Sequence, residues 1–191
     1  MRGALCLLGA LLLTAKNRQQ DRQASQAVQA ALQEIARQRA QAPAEDSAVQ
    51  NAAPPDWAQD AAPKQPEAAE GGYLGTLEIP SLDLTLAVYE DFSEAQLEQA
   101  PCRQFGDAAS QDLVIAGHNY PSQFGALTRL QVGERVEFTE LDGVLHPYCA
   151  EKIETLQPEQ VAQVEGSGYA LVLYTCTYTG AQRLAVFCRA L

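Results

Sequence analysis

The sequence predicts a mainly β domain over residues 73–191, folded as a barrel or a sandwich. Short runs of β-branched, aromatic and leucine residues recur in this region, and turn-forming Gly, Pro, Asp and Ser residues separate them. Few stretches repeat with the period of a long helix. About 120 residues are enough for one hydrophobic core, and seven or eight strands in that length are typical of a barrel or a sandwich.

The predicted elements follow one another with short connections. The segment from Ser93 to Gln96 has the spacing of a capping box, which predicts a short helix that runs toward Ala100. Further helical turns are predicted at 123–129 and at 158–164, where proline is tolerated in the first turn. The predicted strands lie near residues 73–79, 83–89, 112–116, 134–139, 143–156, 169–175 and 183–189.

The first fifteen residues are predicted to be a membrane anchor or a signal. Gly3–Leu13 is apolar and uncharged, and with the next two residues it reaches thirteen, short of the ~20 that cross a bilayer. Three interpretations stay open: the core of a signal peptide, a signal anchor whose start lies upstream of Met1, and a short anchor. No clear cleavage site follows, and basic residues begin at Lys16. We favour an uncleaved anchor over residues 1–15 with a truncated start; the charges leave its orientation open.

Residues 16–39 are predicted to form a helix next to the membrane. They are rich in glutamine and alanine, and Ala24, Val28, Leu32 and Ile35 recur with nearly helical spacing. Because this apolar stripe is thin, we expect a solvent-exposed helix or a weak coiled coil.

Residues 40–72 have the composition of a flexible spacer. Five prolines, eleven alanines and several acidic residues surround Trp57, the only tryptophan. Such a segment cannot bury enough apolar surface to offset the entropy lost on ordering, so it is predicted to be disordered. A spacer of this kind would hold the β domain at a distance from the bilayer.

The charge of the chain argues against nucleic acid as a partner. The formal net charge is −11, and from Tyr73 onward sixteen Asp and Glu residues stand against six Lys and Arg. A surface of this sign repels phosphate backbones. A solvated acidic face is otherwise a sufficient explanation of the charge.

The five cysteines predict neither a zinc site nor a disulfide framework. No C-x-x-C pair occurs, and the two histidines lie far from any close pair of cysteines. Cys102, Cys149 and Cys188 lie in or beside strand-like runs, where a free cysteine acts as a small buried hydrophobe. His146 is expected at the surface. No metal or other cofactor is predicted, because the acidic residues also lack the spacing of a calcium loop.

A cysteine and an arginine at the ends of successive strand-like runs form the strongest candidate site. Cys176 closes the run that begins at Tyr169, and Arg183 opens the next run. The residues between them are few enough for a hairpin-like turn in which Gly180 takes a positive φ. A nearby cation favours the thiolate of a cysteine, and a fixed guanidinium can bind a developing oxyanion. The pair therefore predicts a nucleophile with an electrostatic partner.

His118 supplies the proton carrier that this pair needs. It follows the buried-type strand at 112–116 and precedes Pro121, so it lies in a loop held by a rigid strand. Together, His118, Cys176 and Arg183 predict acyl transfer through a thioester. The thiol would attack a carbonyl, the guanidinium would stabilise the oxyanion, and the imidazole would protonate the leaving amine.

In these residues the chain resembles the sortases, the membrane-anchored cysteine transpeptidases of Gram-positive bacteria. The matching pieces stand in the family's order and cover roughly Tyr73 to the C-terminus. They are VIAGHNY at Val114–Tyr120, FGAL at Phe124–Leu127, VGE at Val132–Glu134, and LYTC at Leu173–Cys176 followed by Arg183.

The resemblance implies an eight-stranded sortase-type β-barrel and a role for each candidate residue. Cys176 would be the nucleophile, His118 the general acid and base, and Arg183 the residue that positions substrate and stabilises the oxyanion. The implied reaction cleaves an LPXTG-like sorting signal of a secreted protein after threonine. It then passes the acyl group to an amine on a cell-wall precursor or a pilin lysine, outside the cell membrane. The residues implied for substrate binding are Leu173, Thr175 and Asn119.

Departures from the family pattern bear on the subclass. Val172 stands where the motif usually begins with threonine, at an outer position that carries no chemistry. The loop from Cys176 to Arg183 is short, and 57 residues separate His118 from Cys176, which leaves no room for the long helical insertion of class B. A C-terminal hydrophobic segment and an evident lid, both typical of class C, are not seen. The chain looks most like class D or an unassigned relative, and the exact pentapeptide stays open.

Two other functions stay open beside transpeptidation. A surface cysteine peptidase would pass the same thioester to water, and a catalytically silent barrel would only bind sorting signals or partner proteins. The intact set of His118, Cys176 and Arg183 argues against the silent barrel, because a binding module has no need of a reactive thiol.

Overall fold

The computed structural model describes residues 2–41, 72–177 and 179–191 of the protein. The spacer predicted at 40–72, with Trp57, falls outside these residues except at its two ends. Within them, the helices are α1 (Arg2–Gln41), α2 (Glu94–Leu97) and the 3₁₀ helices Pro80–Leu82, Phe124–Arg129 and Pro158–Gln163. The strands are β1 (Tyr73–Ile79), β2 (Leu84–Tyr89), β3 (Cys102–Phe105), β4 (Leu113–Ala116), β5 (Arg135–Glu140), β6 (Leu145–Leu156), β7 (Leu171–Cys176) and β8 (Arg183–Ala190).

The eight strands form a closed barrel in the order β1-β2-β3-β4-β7-β8-β6-β5. Neighbouring strands are antiparallel, except that β2 with β3 and β4 with β7 are parallel. Closure pairs β1 with β5, so the sheet has no free edge. The predicted mainly β fold, with an eight-stranded barrel, few helices and an N-terminal helix, is confirmed.

Strands β4 and β7 are the most deeply buried part of the barrel wall. All of β4 is buried, and so are the first five residues of β7. Leu173 and Ile115 pack inside the barrel, whereas Val114 and Val172 face an outer apolar cluster with Phe187. Strands covered on both faces read as continuous apolar runs. Because the two strands are parallel, the residues that follow them emerge at the same end of the barrel.

One strand was not predicted. β3 contains the polar residues Arg103 and Gln104 and is only four residues long. It joins β2 through the single pair Tyr89 with Cys102, and its pairing with β4 shifts register before Phe105. A strand this short and this polar carries no clear periodic signal. The other strands overlap their predicted ranges.

Three of the short helices lie where they were predicted, one of them with a shorter end, and the 3₁₀ helix Pro80–Leu82 was not predicted. Ser93 caps the start of α2, and its Oγ accepts a hydrogen bond from the Gln96 backbone N–H at 3.2 Å, as a capping box requires. The helix ends at Leu97, before the predicted Ala100. The helical turns predicted at 123–129 and 158–164 are both 3₁₀ helices.

Helix α1 packs against the barrel, and the predicted exposed helix or coiled coil is therefore wrong. Ala24, Val28, Ala31 and Ile35 are 1–3% exposed and lie on one face of the helix. Ala31 and Ile35 pack with Ala87 of β2, and Val28 joins the main hydrophobic core of the barrel. The spacing of the stripe was visible in the sequence, but its partner was not, because a thin stripe of small residues fits a barrel wall as well as a second helix.

The predicted membrane anchor at residues 1–15 stays a prediction. The backbone is helical from Arg2 onward. Within the described part of the chain, no helix is both long enough and apolar enough to span a bilayer.

Cys149, Cys188 and His146 lie away from the end of the barrel that carries Cys176, whereas Cys102 pairs with Ala116 at that end. Cys102 and Cys188 are buried, and burial raises the pKa of each thiol to about 12, so both are inert apolar side chains. Cys149 is only half-buried, in contrast to its predicted place in the core. His146 is half-buried rather than free at the surface, and its Nε2 lies 2.6 Å from Oε1 of Glu140.

Candidate active site

Cys176 and Arg183 lie directly opposite each other on neighbouring strands. Cys176 is the last residue of β7, Arg183 is the first of β8, and the antiparallel register pairs them. In the turn between them, Gly180 has φ of +72°, as predicted, and its N–H donates to the Thr177 carbonyl at 2.8 Å. Cys176 is half-buried, so its thiol is held by the strand and still accessible.

The guanidinium of Arg183 lies over its own turn. Its Nη1 donates to the carbonyls of Gly180 and Gln182, both at 3.2 Å. These bonds use one nitrogen, and an arginine carries further N–H groups on Nε and Nη2. Burial raises the pKa of the Tyr174 hydroxyl to about 12, while the positive charge of Arg183 opposes that shift. The cation is therefore close enough to act on groups at the end of β7.

His118 is carried to the same end of the barrel by β4. Ala116, the last residue of β4, pairs with Tyr174, and the next backbone N–H, of Gly117, donates to the Tyr174 carbonyl at 3.1 Å. His118 then begins a loop beside the end of β7. Its ring packs against that of Tyr120, with 4.8 Å between the ring centroids.

The His118 imidazole is biased toward its neutral form. It is half-buried, and burial lowers the pKa of the imidazole below its ordinary value. The negative charge of Glu98 opposes this shift. A neutral imidazole can accept a proton, which is what a general base must do.

The loop that begins at His118 is fixed at both of its ends. The His118 N–H donates to Oε1 of Gln123 at 3.1 Å, and the His118 carbonyl accepts from the Phe124 N–H at 3.0 Å. The Asn119 side-chain amide donates to the carbonyl of Thr177 at 3.0 Å. This last bond joins the His118 loop directly to the residue after Cys176.

One of these fixing residues, Gln123, was missed in the sequence. Gln123 is fully buried, and its amide also donates to the Leu97 carbonyl at 3.4 Å. Glutamine is usually exposed, so nothing in its type or spacing marked it as internal. Gly125 also matters for packing, because a Cβ there would lie 2.6 Å from the Asn119 carbonyl oxygen. The FGAL motif was the available signal for this close approach.

A groove of about 440 Å³ runs along the site. Its walls are Asn119 and Pro121 from the His118 loop, the 3₁₀ helix Phe124–Arg129, and Thr175 with Cys176 from β7. The thiol thus opens onto a space that can take part of a peptide chain.

The residues predicted to bind substrate take different places. Asn119 and Thr175 both line the groove. Thr175 is 3% exposed, and its Oγ1 has no hydrogen-bond partner in the described structure. Leu173 is fully buried in the barrel core and does not line the groove, because side chains on β7 that point inward are covered by the opposite wall. Among residues 2–41, 72–177 and 179–191, no three His, Cys, Asp or Glu side chains could together hold a metal ion.

Helix α1 also reaches this region. The backbone N–H of Ser122 donates to Oδ1 of Asp21 at 3.0 Å, and the Ser122 hydroxyl donates to the Asp21 carbonyl at 3.2 Å. Ser122 lies in the His118 loop, next to Gln123. The N-terminal helix is therefore bonded to the loop that carries the candidate proton carrier.

Comparison with solved structures gives sortases of two named types. The barrel matches sortase C1 of GBS pilus island 1 with a TM-score of 0.52 and 19% identity, covering 61% of this chain and 63% of that chain. It matches sortase A from Corynebacterium diphtheriae with a TM-score of 0.55 and 22% identity, covering 64% and 62%. The match to sortase C1 from Streptococcus agalactiae has a TM-score of 0.52 and 26% identity, covering 63% and 68%. The chain thus spans less than two thirds of the first two structures, and the mixture leaves the subclass undetermined.

A family model, described as the sortase domain, matches residues 77–191. No curated protein matches the chain. The matched residues run from β1 to the C-terminus and include the whole of the groove and the ends of β4, β7 and β8. The chain belongs to the sortase family.

Proposed function

We propose that this sortase is a cysteine transpeptidase in which Cys176 is the nucleophile, His118 the general acid and base, and Arg183 the oxyanion-stabilising cation. One observation carries the proposal: three neighbouring strands, β4, β7 and β8, bring these side chains to one end of the barrel. Such a constellation of nucleophile, proton carrier and cation is the requirement for acyl transfer through a thioester.

The reaction follows from the chemistry of the three groups. His118 takes the proton of the Cys176 thiol, and Sγ attacks the carbonyl carbon of the threonine in an LPXTG-like signal. Arg183 stabilises the negative oxygen of the tetrahedral intermediate. The proton on His118 then passes to the leaving amine, and a thioacyl enzyme remains. An incoming amine gives a proton to His118, attacks the thioester and releases Cys176.

The environment of His118 supports this role. Because burial lowers the pKa of its imidazole, the neutral base predominates at neutral pH. The bond from Asn119 to Thr177 keeps the loop next to the nucleophile. Arg183 keeps the N–H groups on Nε and Nη2 for the oxyanion while Nη1 holds the turn.

The groove supports a peptide substrate. Its lining is mostly apolar, as the leucine and proline of a sorting signal require. Asn119 adds a polar group to this lining. The substrates we propose are secreted proteins with a C-terminal sorting signal.

The acceptor and the location complete the proposal. The acceptor amine belongs to a peptidoglycan precursor or a pilin lysine. Sortases are typically membrane-associated, and we propose that residues 1–15 form a single N-terminal anchor with the catalytic domain outside the cell. The acidic surface argues against a nucleic acid as the partner.

The test is cleavage of LPXTG-type peptides by the full chain, with and without an added amine, followed by mass spectrometry. The expected products are the cleaved peptide and, with the amine, its aminolysis product. Cys176→Ala abolishes both. His118→Ala lowers kcat/KM by about 10²–10⁴-fold, and Arg183→Ala lowers kcat by about 10²–10³-fold. Cys149→Ala is the matched control, because it removes a half-buried thiol outside the groove.

The alternatives give different products. Hydrolysis that never yields an amine product, whatever the acceptor, identifies a cysteine peptidase. Peptide binding without any cleavage identifies a silent barrel. Full activity of Cys176→Ala would contradict the thioester mechanism itself.

A further inference from the structure

Arg129 is a charged residue of the groove that the mechanism does not use. It ends the 3₁₀ helix Phe124–Arg129, and its side chain lines the same groove as Cys176. Its guanidinium is exposed and forms no hydrogen bond or ion pair with the described residues.

The other arginines of the barrel differ from Arg129 in this respect. Arg103, Arg135 and Arg189 each lie beside a glutamate, and Arg183 bonds to the carbonyls of its turn. Over residues 72–177 and 179–191, Arg129 is thus the arginine without a protein partner, and it is the one that lines the groove.

The charge around Arg129 favours an acidic ligand. The groove contains Arg129 and no aspartate or glutamate among its described lining residues. Elsewhere the barrel is strongly acidic, with sixteen Asp and Glu against six Lys and Arg from Tyr73 onward. An acidic peptide is repelled by most of this surface and attracted to the groove. A guanidinium also binds a carboxylate through two parallel hydrogen bonds.

The size of the groove limits where the carboxylate can be. The groove has a volume of about 440 Å³, which leaves room for only a short piece of a peptide. Cys176 and Arg129 both line this space. A carboxylate that reaches Arg129 therefore belongs to a residue close to the bond that Cys176 attacks.

We propose that Arg129 is a specificity-determining residue, which selects sorting signals with a Glu or Asp close to the cleaved bond. The inference rests on the proposed function, since it assigns a preference to the same groove. Arg129 takes no part in bond making. Its contact is the same in the bound substrate and in the transition state, so the preference appears in KM rather than in kcat.

The experiment compares matched peptides with the full chain. Three sets of LPXTG-type peptides each vary one residue near the cleaved bond among Glu, Gln and Lys. In at least one set, we expect kcat/KM to fall from Glu to Gln to Lys, by about tenfold overall, which is the size of an exposed charge pair gained and then reversed. The difference shrinks at high salt, because exposed charges are screened.

Two variants of Arg129 and one control identify the cause. Arg129→Gln removes the preference, and Arg129→Glu reverses it toward Lys. Arg37→Glu is the control, since Arg37 is exposed on α1 outside the groove and the variant changes the net charge by the same amount. Far-ultraviolet circular dichroism checks that each variant is folded. Binding of the same peptides to Cys176→Ala measures the preference without turnover.

The possible results distinguish a failure of the role of Arg129 from a failure of the proposed transpeptidase function. If the wild type cleaves Glu, Gln and Lys peptides equally in every set, or if Arg37→Glu reverses the preference as Arg129→Glu does, the specificity role of Arg129 is wrong while the transpeptidase function stands. If no peptide is cleaved under any condition, the proposed function is contradicted, and the role of Arg129 falls with it.

Discussion

The protonation of His118 depends on two opposing influences. Its half-buried position penalises the imidazolium, and this lowers the pKa of the side chain. Glu98, just after α2, acts in the other direction through its negative charge. His118 must be neutral to accept the thiol proton. The balance between burial and the charge of Glu98 therefore sets the lowest pH at which the imidazole is still neutral.

Removing the charge of Glu98 is expected to extend activity to lower pH. In Glu98→Gln the imidazolium loses its stabilising neighbour, so the pKa of His118 falls further and the neutral base persists in more acidic solution. The acid limb of the kcat/KM profile, which reports the free enzyme, therefore moves to lower pH. Glu94→Gln is the control, because Glu94 is exposed at the start of α2 and does not affect the pKa of His118. An acid limb that stays in place, or moves upward, contradicts the assignment of His118 as the base.

The candidate catalytic residues were easier to predict from the sequence than the residues that hold them in place. Cys176, His118 and Arg183 were recognisable because reactive residue types at strand ends are rare. Gln123 was not, since a buried glutamine is defined by the bonds it makes across the fold. The free Thr175 hydroxyl likewise depends on which groups surround it, and a sequence does not list neighbours in space.

At the element scale, α1 and the His118 loop are joined by Asp21. Its carboxylate accepts the Ser122 N–H, in a part-buried position where an unpaired donor is costly. Gln123, the next residue, holds the backbone of His118. A helix far away in sequence thereby helps to fix the loop that carries the proposed general base.

Asp21→Ala is expected to loosen this loop. The Ser122 N–H loses its acceptor, at a cost of about 1 kcal/mol in the free energy of unfolding, and kcat falls because His118 is less well positioned. Asp21→Asn keeps an acceptor oxygen and should restore kcat. Glu34→Ala is the control, since Glu34 bonds only to Gln38 on the same helix. Equal kcat values for Asp21→Ala and wild type would contradict the role of α1 in positioning His118.

The positions of the strands could be predicted because burial produces apolar runs in the sequence. The packing partner of helix α1 could not be predicted. β4 and β7 read as apolar runs since both of their faces are covered. β3 escaped because Arg103 and Gln104 interrupt its four residues. The stripe of α1 was visible, but the partner it packs against lies about 50 residues further along the chain, at β1 and β2, and no local rule links the two.

At the scale of the whole molecule, the site depends on pairings between distant parts of the chain. β4 and β7 are parallel neighbours, so the segment that connects them includes β5, β6 and the helices around them. Composition and spacing predicted a barrel or a sandwich without this order. The resemblance to the sortases implied an eight-stranded barrel but no strand order, so the β4–β7 pairing that carries His118 and Cys176 to the same end came only from the structure.

Helix α1 is part of the folded unit of the whole molecule, because one of its faces is buried against the barrel. Ile35 is 1% exposed and packs with Ala31 and Ala87, at the junction of α1 with β2. Ile35→Ala is therefore expected to lower the free energy of unfolding of the entire protein by about 2–5 kcal/mol, as large-to-small changes in a core do. Gln33→Ala, on the exposed side of the helix, should change it by less than about 0.5 kcal/mol.

Urea unfolding followed by two signals tests this cooperativity. Far-ultraviolet circular dichroism is dominated by the long helix, and near-ultraviolet circular dichroism reports tyrosines such as Tyr148 in the barrel core. If α1 and the barrel are one unit, both signals move to the same lower midpoint in Ile35→Ala, because the lost contact belongs to a single transition. A barrel that unfolds at its wild-type midpoint while the helix signal is lost earlier would mean that α1 docks without contributing to barrel stability. Activity should then survive the loss of the helix, whereas a single transition makes α1 part of one cooperative unit with the barrel.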